Sequence, residues 1–359
     1  MEFAFHGSPK DSCMATFSNR LSRALKEAGH QPSEPVPGVG LVFSHVDEEH
    51  LRPFRRHAQA TYIIALLRLP AVPPDFLRVA YPFMIRSLAN LLIAVVGPAE
   101  DAETYFMTLE RGYYRIAPQT DPALHMQEVV RRLTPLATSH LIIDNLFDPD
   151  LEPELWQGDD ATVELERAGQ VLDAWNLLPA PFPMQEILSP EDFRHVQRLY
   201  QIGGLSYGNL SQRRDRHRYW MSASGVNKAR LHDVGDEVLL VKDFDQERKA
   251  MRLSVPPDIK PRRVSVDAIE HFMIYREHPD VGAIIHVHAW MDGIPSTDVN
   301  YPCGTIELAT SVADLVRQAP DPSRAVVGLR NHGMTITGRS LDDIMERVDG
   351  KILPQVPMS

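Results

Sequence analysis

With 359 residues the chain is long for one domain and sufficient for two, and its 43% apolar and 24% charged residues are those of an ordinary soluble globular protein. No apolar run approaches bilayer length and no signal-peptide pattern opens the chain, so the expected location is the cytoplasm, with no membrane role. The net charge of −11 argues against a nucleic-acid partner, and two cysteines, Cys13 and Cys303, are too few for a disulfide framework or a Cys-rich zinc site.

The first half alternates strand and helix patterns. Apolar runs at 2–6, 40–44, 61–67, 91–96, 105–109 and 140–143 read as strands. Apolar residues at helical spacing mark 15–28, 74–89 and 123–133 as helices. Such alternation predicts an open α/β sheet over residues 1–178. Gly7-Ser8-Pro9-Lys10 lacks the Gly-Lys-Ser/Thr ending of a phosphate loop and reads as an ordinary turn. Arg52, Arg55, Arg56 and His57 form a basic face, and Glu110-Arg111-Gly112 looks like a hairpin turn. No motif in this half states its role.

An acidic stretch at 148–160, a helix at 161–177 and the stiff Pro-rich connector 179–183 separate it from a second domain, 184–359. There Ser189 and Pro190 start a helix over 190–200. A glycine-punctuated turn from Gly203 to Gly208 leads into a strand. Asn209, Ser222 and Ser224 offer neutral donors suited to phosphate or carboxylate oxygens. Residues 221–224 and a second glycine turn at Gly225 follow, and a further strand is predicted at 238–241. Asp267 sits in the first turn of a helix over 266–277, where the macrodipole favours it. The β-branched run 281–285 ends in His286-Val287-His288. Residues two apart in a strand share a face, so both imidazoles can converge on one cation. His332, between Asn331 and Gly333 and just before the β-like run 334–337, supplies a third. Three neutral nitrogens with a fourth position open form the ligand set of a catalytic zinc site.

These residues together resemble the class II aldolase/adducin family. The resemblance covers about residues 184–359 and rests on an ordered set of motifs. Gly208-Asn209-x-Ser211-x-Arg213 is followed by Ser224-Gly225, then by Asp267 with His271 and Tyr275 on one helix, and by Pro279-Asp280. His286-x-His288, Gly304-Thr305-x-Glu307-Leu308, Asn331-His332-Gly333 and Gly338 complete it. It implies a three-layer αβα domain in which His286, His288 and His332 bind a divalent metal, usually Zn2+, with Fe2+ or Mn2+ as alternatives. Asp267 matches the family's catalytic or fourth-ligand carboxylate. Asn209, Ser224, Gly225 and Ser265 match positions that hold the substrate phosphate. A homo-oligomer, commonly a tetramer, is implied as well. The chain departs from the pattern where Val266 replaces the second phosphate-binding serine and where Asp267 stands in place of the aldolases' Glu.

The expected activity is that of a metal-dependent lyase: aldolase-type cleavage or formation of a carbon–carbon bond, through a metal-bound enediolate, on a small anionic hydroxy-carbonyl substrate. Asp267 would move protons if its pocket raises its pKa, while Arg262, Arg263 or Lys228 would pair with the substrate's anionic end. An epimerase or dehydratase of a sugar phosphate, an Fe(II)-dependent oxygenase or decarboxylase, and a non-catalytic adducin-like scaffold are the alternatives.

Overall fold

The computed structural model describes the whole chain except Pro37, His50, Arg52 and residues 55–60, 99–100, 110–111, 181 and 201–205; of Leu199 and Tyr200 it describes the backbone. The basic cluster at 52–57, the tip of the expected turn at Glu110-Arg111, and Gly203-Gly204-Leu205 lie outside the described residues. The chain divides into two compact units, one formed by 1–138, 181–202 and 358–359, the other by 139–180 and 203–357. Among the described residues no helix is long and apolar enough to cross a membrane.

The first unit begins with β1 (Glu2–His6), α1 (Ser12–Glu27), β2 (Gln31–Pro32), β3 (Leu41–Val46) and β4 (Tyr62–Leu69). It continues through α2 (Phe76–Arg86), β5 (Leu91–Val96), β6 (Glu103–Thr108), β7 (Gly112–Arg115) and α3 (Pro122–Thr138). The strands form one open sheet in the order β2-β1-β3-β4-β5-β6-β7, parallel as far as β5 and antiparallel beyond it. Strands β3 and β5 are buried along their whole length, as continuous apolar runs in a covered parallel sheet require. Leu21 and Leu25 of α1 and Val129 and Leu133 of α3 pack in one core cluster with Phe43, Ile64 and Ile93 of the sheet.

The second unit opens with β8 (Asp144–Asp148) and α4 (Asp160–Ala174); the chain then returns to the first for α5 (Met184–Ile187) and α6 (Pro190–His195). There Asp192 of α6 takes a two-pronged ion pair from Arg86 of α2, at 3.0 and 2.8 Å. The rest of the second unit is β9 (Asn209–Arg213), β10 (Tyr219–Ser222), β11 (Val238–Asp245), β12 (Ala250–Ser254), α7 (Ala268–Glu277) and β13 (Ala283–Val287). It ends with α8 (Ile306–Gln318), β14 (Val326–Leu329), β15 (Gly333–Gly338) and α9 (Leu341–Val348). Its sheet runs β14-β15-β13-β9-β10-β11-β12-β8, antiparallel except where β8 joins β12.

Three details differ from the sequence expectations. The strand expected at 140–143 is a single bridge from Leu141 to Thr305, and the paired strand is the more polar β8 that follows. Apolarity misled here because Ile142 is buried without pairing as a strand, whereas β8 is an edge strand whose Asp148 is held by Lys242 and Arg252. That pairing also places residues 139–180 in the second unit, ahead of the connector expected at 179–183, while residues 181–202 belong to the first. The helix expected over 190–200 is α-helical to His195 and π-helical from Val196 to Tyr200.

Helices cover both faces of the second sheet. Ser211 of β9 meets His271 of α7, while its neighbour Gln212, pointing the opposite way, donates to Glu164 of α4. Two glycines allow neighbouring chain to close on the central strand β13. A Cβ on Gly208, whose φ is +72°, would stand 2.5 Å from the His286 carbonyl oxygen, and one on Gly333 would stand 2.3 Å from that of Val287. We therefore expect Gly333→Ala to lower stability by about 1–3 kcal/mol, read as a shifted urea midpoint, through backbone displacement beside β13.

Candidate active site

Strand β13 is buried from end to end, with Val287 turned into the core between His286, on the strand, and His288, just past its end. His332 reaches the same place from the β14–β15 turn, where Asn331 takes a φ of +55° and the His332 amide donates to the Leu329 carbonyl at 3.0 Å. Each ring offers one nitrogen, and these ligand atoms lie within 4.8 Å of one another. The ring centroids are 4.8 to 5.4 Å apart. His286 Nδ1 lies 3.2 Å from the Met334 carbonyl, which can only accept. That contact selects the tautomer protonated at Nδ1 and leaves the Nε2 lone pair for a cation. Three buried or half-buried imidazoles so arranged fit a divalent transition metal.

Asp267 is the N-cap residue of α7, yet its side chain makes no capping hydrogen bond. Its carboxylate is instead directed inward, where Oδ2 accepts from Asn209 Nδ2 at 2.8 Å. Asn209 pairs in register with His286, so the buried carboxylate is bonded to the immediate strand neighbour of a candidate ligand. This geometry separates Asp267 from an ordinary helix-terminal aspartate, which would bond its own backbone amides.

The remaining motif residues hold this arrangement together. Ser211 Oγ lies 2.7 Å from His271 Nδ1 and 2.8 Å from the Tyr275 hydroxyl, joining β9 to α7 a second time. Arg213 places its guanidinium over the Tyr275 ring and donates to the carbonyls of Tyr275 and His278 at the end of that helix. Burial pushes the His271 imidazole down to about 3, with His286 adding to the effect, so His271 is a neutral structural ring. Thr305 of the Gly304-Thr305 motif caps α8, accepting from the Leu308 amide.

Among the candidate anion-binding residues, the chain segments around Ser224 and Ser265 run alongside one another. The Ser224 amide donates to the Arg263 carbonyl at 2.9 Å and the Ser265 amide to that of Ser222 at 3.2 Å. This brings Ser224, Gly225, Arg263 and Ser265 together just ahead of Asp267. Two cations are engaged elsewhere. Arg262 is half exposed and pairs with Asp236 at 2.6 Å. Lys228 is buried and donates to the Ser206 carbonyl at 2.7 Å; burial pushes its ammonium down to about 8, against the opposing pull of Asp267.

Sequence reasoning missed two residues here. Cys303 Sγ lies 3.2 Å from His332 Nε2, close beside the cluster; its position directly ahead of the Gly304-Thr305 motif was the available signal. Glu270, in the first turn of α7 and 1% exposed, accepts from Thr335 Oγ1 at 2.5 Å. Helical spacing aligns it with Asp267 and assigns it nothing more. A groove of about 760 Å³, lined among others by Phe244, Phe272, Met273 and Arg276, contains none of the candidate residues.

Residues 193–349 match the family described as Class II Aldolase and Adducin N-terminal domain. A methylthioribulose-1-phosphate dehydratase of Stenotrophomonas maltophilia (strain K279a) is 24% identical over 165 residues, covering 43% of this chain and 68% of that protein. The protein of the same name in Xanthomonas campestris pv. campestris (strain B100) is 31% identical over 104 residues, covering 28% of this chain and 42% of that protein. Among solved structures, L-fuculose-1-phosphate aldolase from Thermus thermophilus aligns with a TM-score of 0.32 and 19% identity over 52% of this chain and 86% of that one.

Burial and the Asp267 charge push the Glu270 carboxyl upward from its ordinary 4.5, so the folded protein holds a proton that the unfolded chain releases. Stability from this group is complete below pH 4.5 and declines as pH rises toward the folded-state value, by up to about 1.4 kcal/mol per unit. In urea denaturation of the metal-free protein, Glu270→Gln should therefore gain on the wild type between pH 5 and pH 8. A constant difference would mean that the carboxyl is ionised in the fold.

Proposed function

Because residues 193–349 belong to the class II aldolase/adducin family, we propose that the chain is a metal-dependent lyase acting on a small anionic hydroxy-carbonyl compound, and that its reaction is the loss of water. The observation that carries this reading is the buried His286, His288 and His332 cluster with the Asp267 carboxylate fixed beside it through Asn209. Elimination is preferred to the carbon–carbon cleavage expected from sequence because the curated relatives bear the name of a dehydratase.

A divalent cation, when bound, supplies Lewis-acid stabilisation of negative charge on substrate oxygens, a contribution of several kcal/mol. Zinc is the first candidate, with Fe2+ and Mn2+ behind it. Asp267 takes the proton from the carbon beside the substrate carbonyl, and the electron pair of that C–H bond is delocalised toward the carbonyl oxygen. As the β-hydroxyl leaves, Asp267 returns the proton to it. The substrate thereby becomes water and a dehydrated carbonyl product, and the carboxylate recovers its charge. Asn209 orients Asp267 throughout. In this reading Ser224, Gly225, Arg263 and Ser265 hold the anionic end, supported by the backbone bonds that bring their segments together, while the buried Lys228 ammonium interacts with the Asp267 charge. The same reading carries a homo-oligomeric, cytoplasmic protein.

Purified protein incubated with sugar phosphates and hydroxy-keto acids should release water from one of them, seen by mass spectrometry as a single dehydrated product. Two carbon fragments would return the assignment to aldol cleavage. Asp267→Asn is expected to retain metal and lose about 10²–10⁴-fold in kcat; full activity would remove its proton-transfer role. His286→Ala should lose the metal by elemental analysis, and unchanged content would refute the ligand assignment.

A further inference from the structure

We propose that Glu270 is a positioning residue of this site: through its bond to Thr335 it holds the Asp267 end of α7 against the strand pair that carries His286 and His332, and so sets where the carboxylate stands relative to the cation. The inference rests on the metal-site reading above and adds to it a residue that no motif supplied.

Strands β9, β13 and β15 are consecutive neighbours in the second sheet. Asn209, His286 and Thr335 lie opposite one another in register across them, so all three side chains share one face. Asp267 and Glu270 are three residues apart at the start of α7 and emerge on one side of it. Each reaches a different end of that row. Asp267 accepts from Asn209 on one flank of His286, and Glu270 accepts from Thr335 on the other. His286 is thus spanned by two carboxyl bridges from a single helical turn. Thr335 lies only three residues beyond His332, at the start of β15, so the second bridge ties α7 to the segment that delivers another candidate ligand.

A carboxyl at this depth is expensive. Glu270 is 1% exposed, its Oε2 is buried with no hydrogen-bond partner among the described residues, and Thr335 is the one partner of Oε1. An apolar side chain of similar size would fill the volume at lower cost. What an apolar side chain cannot do is accept from Thr335 and so select one placement of the helix over the strands. Burial and the Asp267 charge push the carboxyl toward its neutral form. Glutamine reproduces both its shape and its neutrality.

The test uses the full chain with the variants Glu270→Ala, Glu270→Gln and Thr335→Val. Zinc affinity is measured by chelator competition, and the visible spectrum of the Co2+-substituted protein reports ligand geometry. Glu270→Ala and Thr335→Val should each weaken zinc binding about tenfold and alter the cobalt spectrum; the double variant should weaken it no further, since both remove one bond. Glu270→Gln should restore affinity and spectrum to those of the wild type. Thr335→Val keeps the test open if Glu270→Ala does not fold. Wild-type affinity and spectrum in Thr335→Val, or a Gln variant as impaired as the Ala variant, would overturn the proposal. Absence of zinc binding by the wild type would instead remove the metal-site reading on which it stands.

Discussion

The second unit depends on how α7 is fastened to the sheet beneath it. Buried polar bridges join that helix to the strands, among them Asp267 to Asn209, His271 and Tyr275 to Ser211, Glu270 to Thr335, and the Tyr219 hydroxyl to the Ala268 carbonyl. Apolar packing alone would allow a helix to slide or rotate by a fraction of a turn at little cost, because dispersion contacts are individually weak and non-directional. Buried hydrogen bonds do not permit this, since a donor pulled from its acceptor at zero exposure has no water to replace it. The bridges therefore convert a loosely specified layer contact into one fixed placement of α7 over the strands that carry Asn209, Ser211 and Thr335.

That arrangement also explains the distribution of charge. The Asp267 charge opposes the effect of burial on Lys228, burial pushes His271 toward its neutral form, and burial with the Asp267 charge pushes Glu270 toward its protonated form. Under the proposed reading Asp267 is the proton-transfer group, and the groups that brace it add little net charge of their own. Such separation of roles is what acid/base chemistry next to a cation requires, because a second ionised carboxylate would compete for the metal and for the proton.

The first unit has a different character. Its sheet is parallel over most of its width and its core is apolar, with a short antiparallel extension at one edge. Its elements were legible at the level of type and order, because continuous runs such as Leu91–Val96 read as buried strands whatever lies on either side. The polar strand β8 was not legible. Asp144–Asp148 has no apolar face to announce it, and it exists because β12 offers an open edge and Lys242 and Arg252 hold Asp148. A strand that depends on a partner far along the chain leaves no local pattern.

For the site, alternation along a strand put His286 and His288 on one face, since it is a local property of the backbone, and His332 joined them through the family motif Asn331-His332-Gly333. The family motifs likewise mark Asp267 and Asn209. What only the tertiary structure decided is which of these side chains meet. It turned the Asp267 carboxylate from the helix end toward Asn209, withdrew Lys228 into the interior, engaged Arg262 with Asp236, set Glu270 against Thr335 and brought Cys303 to His332. The reason is physical: the row Asn209, His286 and Thr335 is assembled from three strands far apart in sequence, and its facing arises from hydrogen-bond register between chains. One strand's sequence carries its own alternation, but not the identity of its neighbours.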